Sequence, residues 1–470
     1  MRNVLKSGLL ALSVAACLQA EISEFRLDQN RIWLVVRDEP LSQLLEHFAA
    51  AGIDVQADPA VAKTVTGSWR GADVETALDQ VLFPYNYLLD WQRETGPLGA
   101  MTRLTGIRIF REGRADAVQR LRSARRIETS FDGRTRFMAR EILVGFGPGA
   151  SIEDLRAFLA RTGGTIIDAN TELGIYRILL PEGANVLDLV AQLGNESSIA
   201  LSEPNYVYDL PGFLPSDENA PAAPSQWNAP QSDSPVAVAV LDSGLAPDDN
   251  LDRAVIGAYD ATNPDAPLST DTVGHGTKMA MLAAGLADPY GSAVGEGVPV
   301  VAVKAFADDG SADAFTLMNA MTYAVQNSSG PVSLSWGSET DSQFIQTAVR
   351  YAASEGRPVF AAVGNEPTGT PMYPAAYPEV VGIAAGSSGK LAEYSNRGDF
   401  VDIVAPGSAS FSGKTSQGTS VATAYVSHIA ARYMKNHPGT TAAETVAALK
   451  KAAGPDGFLT EDAVKRLLIK

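Results

Sequence analysis

In RIWLVVRD (31–38) apolar and polar positions alternate, as they do in a strand with one buried face. The spacing then changes: Leu41, Leu44, Leu45 and Phe48 fall on one side of a helix that runs to about Ala51. TVTGSW (64–69) predicts another strand, ADVETALDQVLF (72–83) a second helix, and NYLLDW (86–91) and TGIRIFRE (105–112) closing strands. Residues 21–112 therefore predict a small α+β unit. A second block, 136–210, has a stricter rhythm. REILVGF (140–146), GTIIDAN (164–170), GIYRILL (174–180) and IALSEPNYVYDL (199–210) predict strands. SIEDLRAFLARTG (151–163), opened by Ser151 as a cap, and NVLDLVAQLG (185–194) predict helices, and the order βαββαβ is that of a ferredoxin-like unit.

From about Trp227 the pattern changes again. PVAVAVL, VVAVKAF, VSLSW, PVFAAVG and VVGIAA are short, β-branched and nearly continuous in apolar character, as parallel strands covered on both faces should be. Helical segments such as GHGTKMAMLAAGL and AFTLMNAMTYAVQ separate them. Residues 227–470 thus predict a doubly wound α/β domain, preceded by two small α+β domains. Between the blocks the patterning lapses. REGRADAVQRLRSARR (111–126) carries six arginines and predicts a solvated linker over 113–135. PGFLPSDENAPAAPSQ, rich in Pro, Ala and Ser, predicts an exposed linker over 211–226.

Four polar residues stand where an α/β sheet gathers its sites. Asp242 directly follows the strand VAVAVL, His275 opens a small-residue helix, Asn365 follows VFAAVG, and Ser420 precedes a long apolar run with helical spacing. Each has an ordinary explanation: a turn aspartate, a core histidine, a loop amide and a helix cap. Their conjunction in one order, at strand and helix ends, is harder to explain that way.

AVLDSGL (239–245), GHGTKMA (274–280), VGNE (363–366) and GTSVATA (418–424) together resemble the subtilases, the subtilisin-like serine peptidases, over roughly 227–470. The resemblance implies an Asp-His-Ser triad of Asp242, His275 and Ser420 with Asn365 in the oxyanion hole. It implies that Ser335, Trp336 and Gly337 form an edge that pairs with the substrate backbone. Met372 stands where the family has a small residue at the base of the primary pocket, which favours small or medium side chains before the scissile bond. Polypeptides are then the substrates, and the chemistry needs no cofactor. Residues 136–210, above all EPNYVY (203–208), resemble the subtilase propeptide, which makes the chain's own propeptide a partner and the protein an autoprocessing zymogen. Residues 21–112, through VRDEPLSQLLEHFAAAGIDV (36–55), resemble the short N-terminal (STN) domain of secretins and TonB-dependent receptors, which implies an envelope protein as a further partner.

There are departures from the family pattern. Ala424 and Tyr425 stand where many members have proline and histidine, and too few residues separate Trp227 from VAVAVL for the helix usual there. Asn250 replaces an expected aspartate ligand, so Asp248, Asp249 and Asp288 are what remains to hold a structural calcium. An inactive envelope scaffold that binds peptides is the alternative to an enzyme, and the intact four-residue set argues against it.

Composition and termini add location. The chain has 470 residues, 45% of them hydrophobic, and a formal net charge of −17, which argues against nucleic-acid binding. MRNVLKSGLLALSVAACLQAE opens with Arg2 and Lys6, then an apolar stretch too short to span a bilayer, and reads as a secretory signal over 1–20. Cys17, the single cysteine, ends VAAC, which resembles a bacterial lipobox; the other reading is a plain signal cut after Ala20. Export to the periplasm or outer membrane of a Gram-negative-type envelope, or secretion, is the expectation. With one cysteine, no disulfide forms within the chain.

Overall fold

The computed structural model describes residues 21–121, 126–212, 236–264, 266–290, 297–411 and 414–469. The expected signal with Cys17, residues 213–226 of the second linker, and residues 227–235 lie outside the described residues. The described residues fall into two compact units, one within Met1–Thr95, Ala100–Ala124 and Arg156–Ile167, the other within Gly96–Gly99, Arg125–Leu155 and Asp168–Lys470. No helix among the described residues is long and apolar enough to cross a membrane.

In the first unit, Glu21–Asp28, Arg31–Pro40 and Thr64–Asp73 form an antiparallel sheet. A second sheet holds Asn86–Gly96, Gly99–Phe110, Asp54–Ala57 and Gln119–Arg120 in that order. Ile32, Leu34 and Val36 bury one face of their strand together with Leu41, Leu44, Leu45 and Phe48 of the helix Leu41–Ala50. Two features differ from the pattern-based expectation. The leading strand Glu21–Asp28 lies ahead of the first predicted strand, and its pairing shifts register between Ile22 and Glu24, which breaks the apolar alternation. Part of the arginine-rich linker is sheet: Gln119–Arg120 pairs with Asp54–Ala57, and Ile127–Thr129 pairs with Arg136–Phe146. Charged residues are suited to such short outer strands, where the backbone does the bonding and the side chains stay wet.

In the second unit, Arg136–Phe146 is flanked by Ile175–Leu179 and by Ile199–Asp209, both antiparallel to it. The strand Ile199–Asp209 goes on to pair with Ser311–Asp313, Val207 opposite Asp313 and Asp209 opposite Ser311. A separate sheet runs in the order Val255–Asp260, Val300–Lys304, Val238–Asp242, Val332–Leu334, Val359–Ala362 and Val380–Ser387, all parallel. Its central strand shows why the apolar run is continuous. Ala239 and Leu241 pack with the helices Ala314–Asn327 and Gln343–Ser354, whereas Val238 and Val240 pack with His275–Ala284 and Thr419–Asn436. Helices on both faces leave no polar side to alternate with, and the strands' carboxyl ends become the open rim.

Candidate active site

Asp242 is the last residue of the central strand and is 1% exposed. Its two carboxylate oxygens lie 2.8 and 2.9 Å from Nδ1 of His275, which is 2% exposed. A carboxylate only accepts, so Nδ1 carries the proton and Nε2 is left as the basic nitrogen. The ring is aimed by the turn before it. Asp271 accepts the Gly274 N–H at 2.7 Å and the Thr277 N–H at 2.9 Å, which closes the loop onto the first turn of the helix. A Cβ on Gly276 would lie 2.5 Å from the Gly244 carbonyl oxygen, so only glycine lets the histidine helix meet the aspartate turn. Ser243 joins the two: its N–H donates to Asp242 Oδ1 at 2.8 Å, and its hydroxyl accepts the Gly276 N–H at 2.8 Å.

Ser420 lies in the first turn of Thr419–Asn436 and is 3% exposed. Its hydroxyl donates to the Ser335 carbonyl at 3.1 Å, and the Ser335 hydroxyl donates back to the Ser420 carbonyl at 3.3 Å. The serine helix is thereby tied to the turn after Val332–Leu334. Asn365 Oδ1 accepts from the Thr419 N–H at 2.8 Å and the Thr419 hydroxyl at 3.0 Å. Since a backbone N–H only donates, this fixes the amide's orientation, and Nδ2 becomes the free-facing donor beside the serine. Gly418, at φ 156°, keeps that approach open, because a Cβ there would stand 3.2 Å from Nδ2. Asp242 thus orients the His275 imidazole, Ser420 stands in the first turn of a helix, and Asn365 has its amide oriented through Thr419, groups of the kind that acyl transfer uses.

The other sequence-derived residues divide. The main chain of Ser335–Gly337 follows a strand end beside Ser420, but the Trp336 side chain is 1% exposed and points into the core. It packs edge-on against Phe306 at 5.8 Å and against Tyr208, from the strand Ile199–Asp209, at 5.7 Å between ring centroids. Met372 fills the space two glycines leave: its Cγ is 3.2 Å from the Cβ position of Gly364, and its Cε is 3.7 Å from that of Gly337. Ala424 and Tyr425 are buried in an unbroken helix, the tyrosine edge-on to Tyr290.

The strand Ile199–Asp209 reaches this region through two acidic and amide caps. Glu203 accepts from the Ser342 hydroxyl at 2.7 Å and the Gln343 N–H at 2.9 Å, at the start of Gln343–Ser354. Burial pushes its carboxyl upward, and these hydrogen bonds oppose that. Asn205 accepts the Phe315 N–H at 3.1 Å, in the first turn of Ala314–Asn327. Both helices therefore have N-terminal donors satisfied by one segment.

The calcium expectation does not fit these residues. Asp248 is a helix cap that accepts the Asn250 and Leu251 N–H groups at 3.0 Å, and Asn250 accepts from the Arg253 guanidinium. Asp288 accepts the Tyr290 N–H at 2.7 Å and, by burial, is pushed up to about 6. Among the described residues, no three His, Cys, Asp or Glu gather into a group that could hold a metal ion.

Sequence reasoning missed Ser243, Asp271 and Thr419. Asp271 had a local signal, an aspartate three residues before the helix-opening glycine. Thr419 had none, because its partner lies 54 residues away.

Comparison with known proteins follows the same lines. A model of the subtilase family matches residues 233–467, and one of the fervidolysin N-terminal prodomain matches residues 128–205. The thermophilic serine proteinase of Bacillus sp. (strain AK1) is 30% identical over 312 residues, 62% of this chain and 77% of that one. Subtilisin E of Bacillus subtilis (strain 168) is 31% identical over 280 residues, 56% of this chain and 72% of that protein. The crystal structure of fervidolysin from Fervidobacterium pennivorans, a keratinolytic enzyme related to subtilisin, has a TM-score of 0.56 at 19% identity. That match covers 70% of this chain and 61% of the fervidolysin chain, and it bears on the fold alone. The chain belongs to the subtilase family: it is a subtilisin-like serine endopeptidase preceded by a prodomain.

Proposed function

We propose that the peptide bond is hydrolysed by Asp242, His275 and Ser420, with Asn365 and the Ser420 N–H as the oxyanion hole. The buried contact of both Asp242 oxygens with His275 Nδ1 is the observation that most supports this. Ser420 Oγ leaves the Ser335 carbonyl, gives its proton to Nε2 and bonds to the substrate carbonyl carbon. Asp242 stabilises the imidazolium, while Asn365 Nδ2 and the Ser420 N–H receive the negative oxygen. Collapse breaks the C–N bond as Nε2 returns the proton to the leaving amine. Water then repeats the sequence on the acyl-enzyme. The main chain of Ser335–Gly337 pairs with substrate, and Met372 shortens the pocket for the residue before the scissile bond.

Maturation is proposed to be intramolecular. The segment Val207–Asp209 is strand-paired, and the Leu210 N–H donates to Gly310 at 2.9 Å, so the cut falls between Leu210 and Trp227. Residues 1–20 export the chain, with Cys17 as lipid anchor or Ala20 as the cleavage point, and 21–112 act as an STN-like docking module for an envelope protein. The test is intact mass on wild type and Ser420→Ala, both made without residues 1–20. Wild type is expected to lose its N-terminal portion and react with a fluorophosphonate probe, and the variant to do neither. Wild type that stays whole and unlabelled would overturn the reading.

A further inference from the structure

We propose that Lys304 is a positioning residue for the Asp242–His275 pair, acting through the Ser243 carbonyl. The proposal rests on the catalytic reading of that pair given above. Lys304 ends the strand Val300–Lys304, whose other side chains are all apolar and buried, and it is itself only 2% exposed. A lysine is seldom buried so completely unless its ammonium is paired. Here Nζ donates to the Ser243 carbonyl at 2.8 Å and to Asp308 Oδ1 at 3.0 Å. Asp308 is 67% exposed, so the carbonyl is the buried member of the pair.

Everything around this contact leads to the aspartate. Lys304 stands opposite Asp242 in the parallel register, and the next two N–H groups, of Ala305 and Phe306, donate to the Asp242 carbonyl at 2.7 and 3.1 Å. The lysine stem passes beneath Gly244, its Cδ 3.4 Å from that residue's Cβ position, where φ is +107°. The ammonium therefore holds the Ser243–Gly244 peptide in the one orientation that leaves Ser243 bonded to both Asp242 and Gly276. Were packing the only demand, an unbranched apolar side chain of similar length would fill the slot without the cost of burying a charge. A buried cation that meets the carbonyl next to the catalytic aspartate answers a different demand: it prevents that turn from rotating.

The test uses the mature enzyme, with rates per active site titrated by fluorophosphonate so that unfolded material drops out. Labelling of wild type and its absence in Ser420→Ala checks the catalytic reading separately. Lys304→Met is expected to lower kcat by 10- to 100-fold with KM changed less than threefold. It should also displace the acid limb of the pH–rate profile and shift or broaden the downfield proton resonance of the His275 Nδ1–H. Lys304→Arg, which keeps a cationic donor, is expected to recover kcat to within fivefold of wild type and restore the acid limb. A methionine variant whose kcat and acid limb match wild type overturns the proposal. So does an arginine variant that is no better than the methionine one.

Discussion

His428 offers a sharp test of how burial controls this protein's stability. It sits in the long helix behind Ser420, is 6% exposed, and its Nδ1 lies 2.9 Å from the Ala283 carbonyl, so Nδ1 carries the proton. Burial, first, and the nearby Arg432 push its protonation down to about 4, with the Ala283 carbonyl opposing. In the unfolded chain the imidazole returns to 6.5. The folded protein thus keeps His428 neutral where the unfolded chain would charge it. This contribution is complete above pH 6.5 and is lost as the pH falls towards 4. At about 1.4 kcal/mol per tenfold, the displacement is worth about 3.5 kcal/mol, roughly three quarters of it gone by about pH 4.5. His428→Gln keeps a donor for Ala283 and removes the titration. In the Ser420→Ala background, which prevents self-digestion, urea unfolding at pH 7 and 4.5 gives the difference directly. The glutamine variant should lose about 2.5 kcal/mol less than the parent over that interval. An identical loss in both proteins would refute the reasoning.

Other expectations follow from the same structure. Asp288 is pushed up to about 6, so its contribution is complete below its ordinary range and is lost as pH rises through 6; Asp288→Asn should gain about 2–3 kcal/mol at pH 8 and nothing at pH 4, read by urea unfolding. Asn365→Leu should lower kcat roughly 10²–10³-fold with little change in KM, a magnitude taken from subtilisin rather than worked from these distances. Met372→Gly should raise kcat/KM for Phe over Ala before the scissile bond by about tenfold or more, measured on paired peptide substrates, because it opens the space against Gly337 and Gly364. Glu203→Ala in the full-length Ser420→Ala protein should cost about 1–3 kcal/mol, since it strands the Ser342 hydroxyl and the Gln343 N–H at a buried helix start; unchanged urea unfolding would contradict that.

What the sequence determined by itself was the architecture of the second unit and the identity of its polar residues. Strands such as Val238–Asp242 are buried on both faces, and that leaves an unbroken apolar run, readable without any partner. Asp242, His275, Asn365 and Ser420 are visible because each interrupts or follows such a run. The arginine-rich stretch misled for the opposite reason: its strand pairing is made by the backbone, which leaves no mark in side-chain pattern. Tertiary structure alone decided how the residues are oriented. Thr419 sets the Asn365 amide from 54 positions away, Ser243 bridges to the Gly276 N–H across 33, and Trp336 meets Tyr208 of another sheet. Hydrogen bonds and ring contacts between distant segments depend on distances that exist only once the chain has closed, so local spacing names the groups and packing aims them.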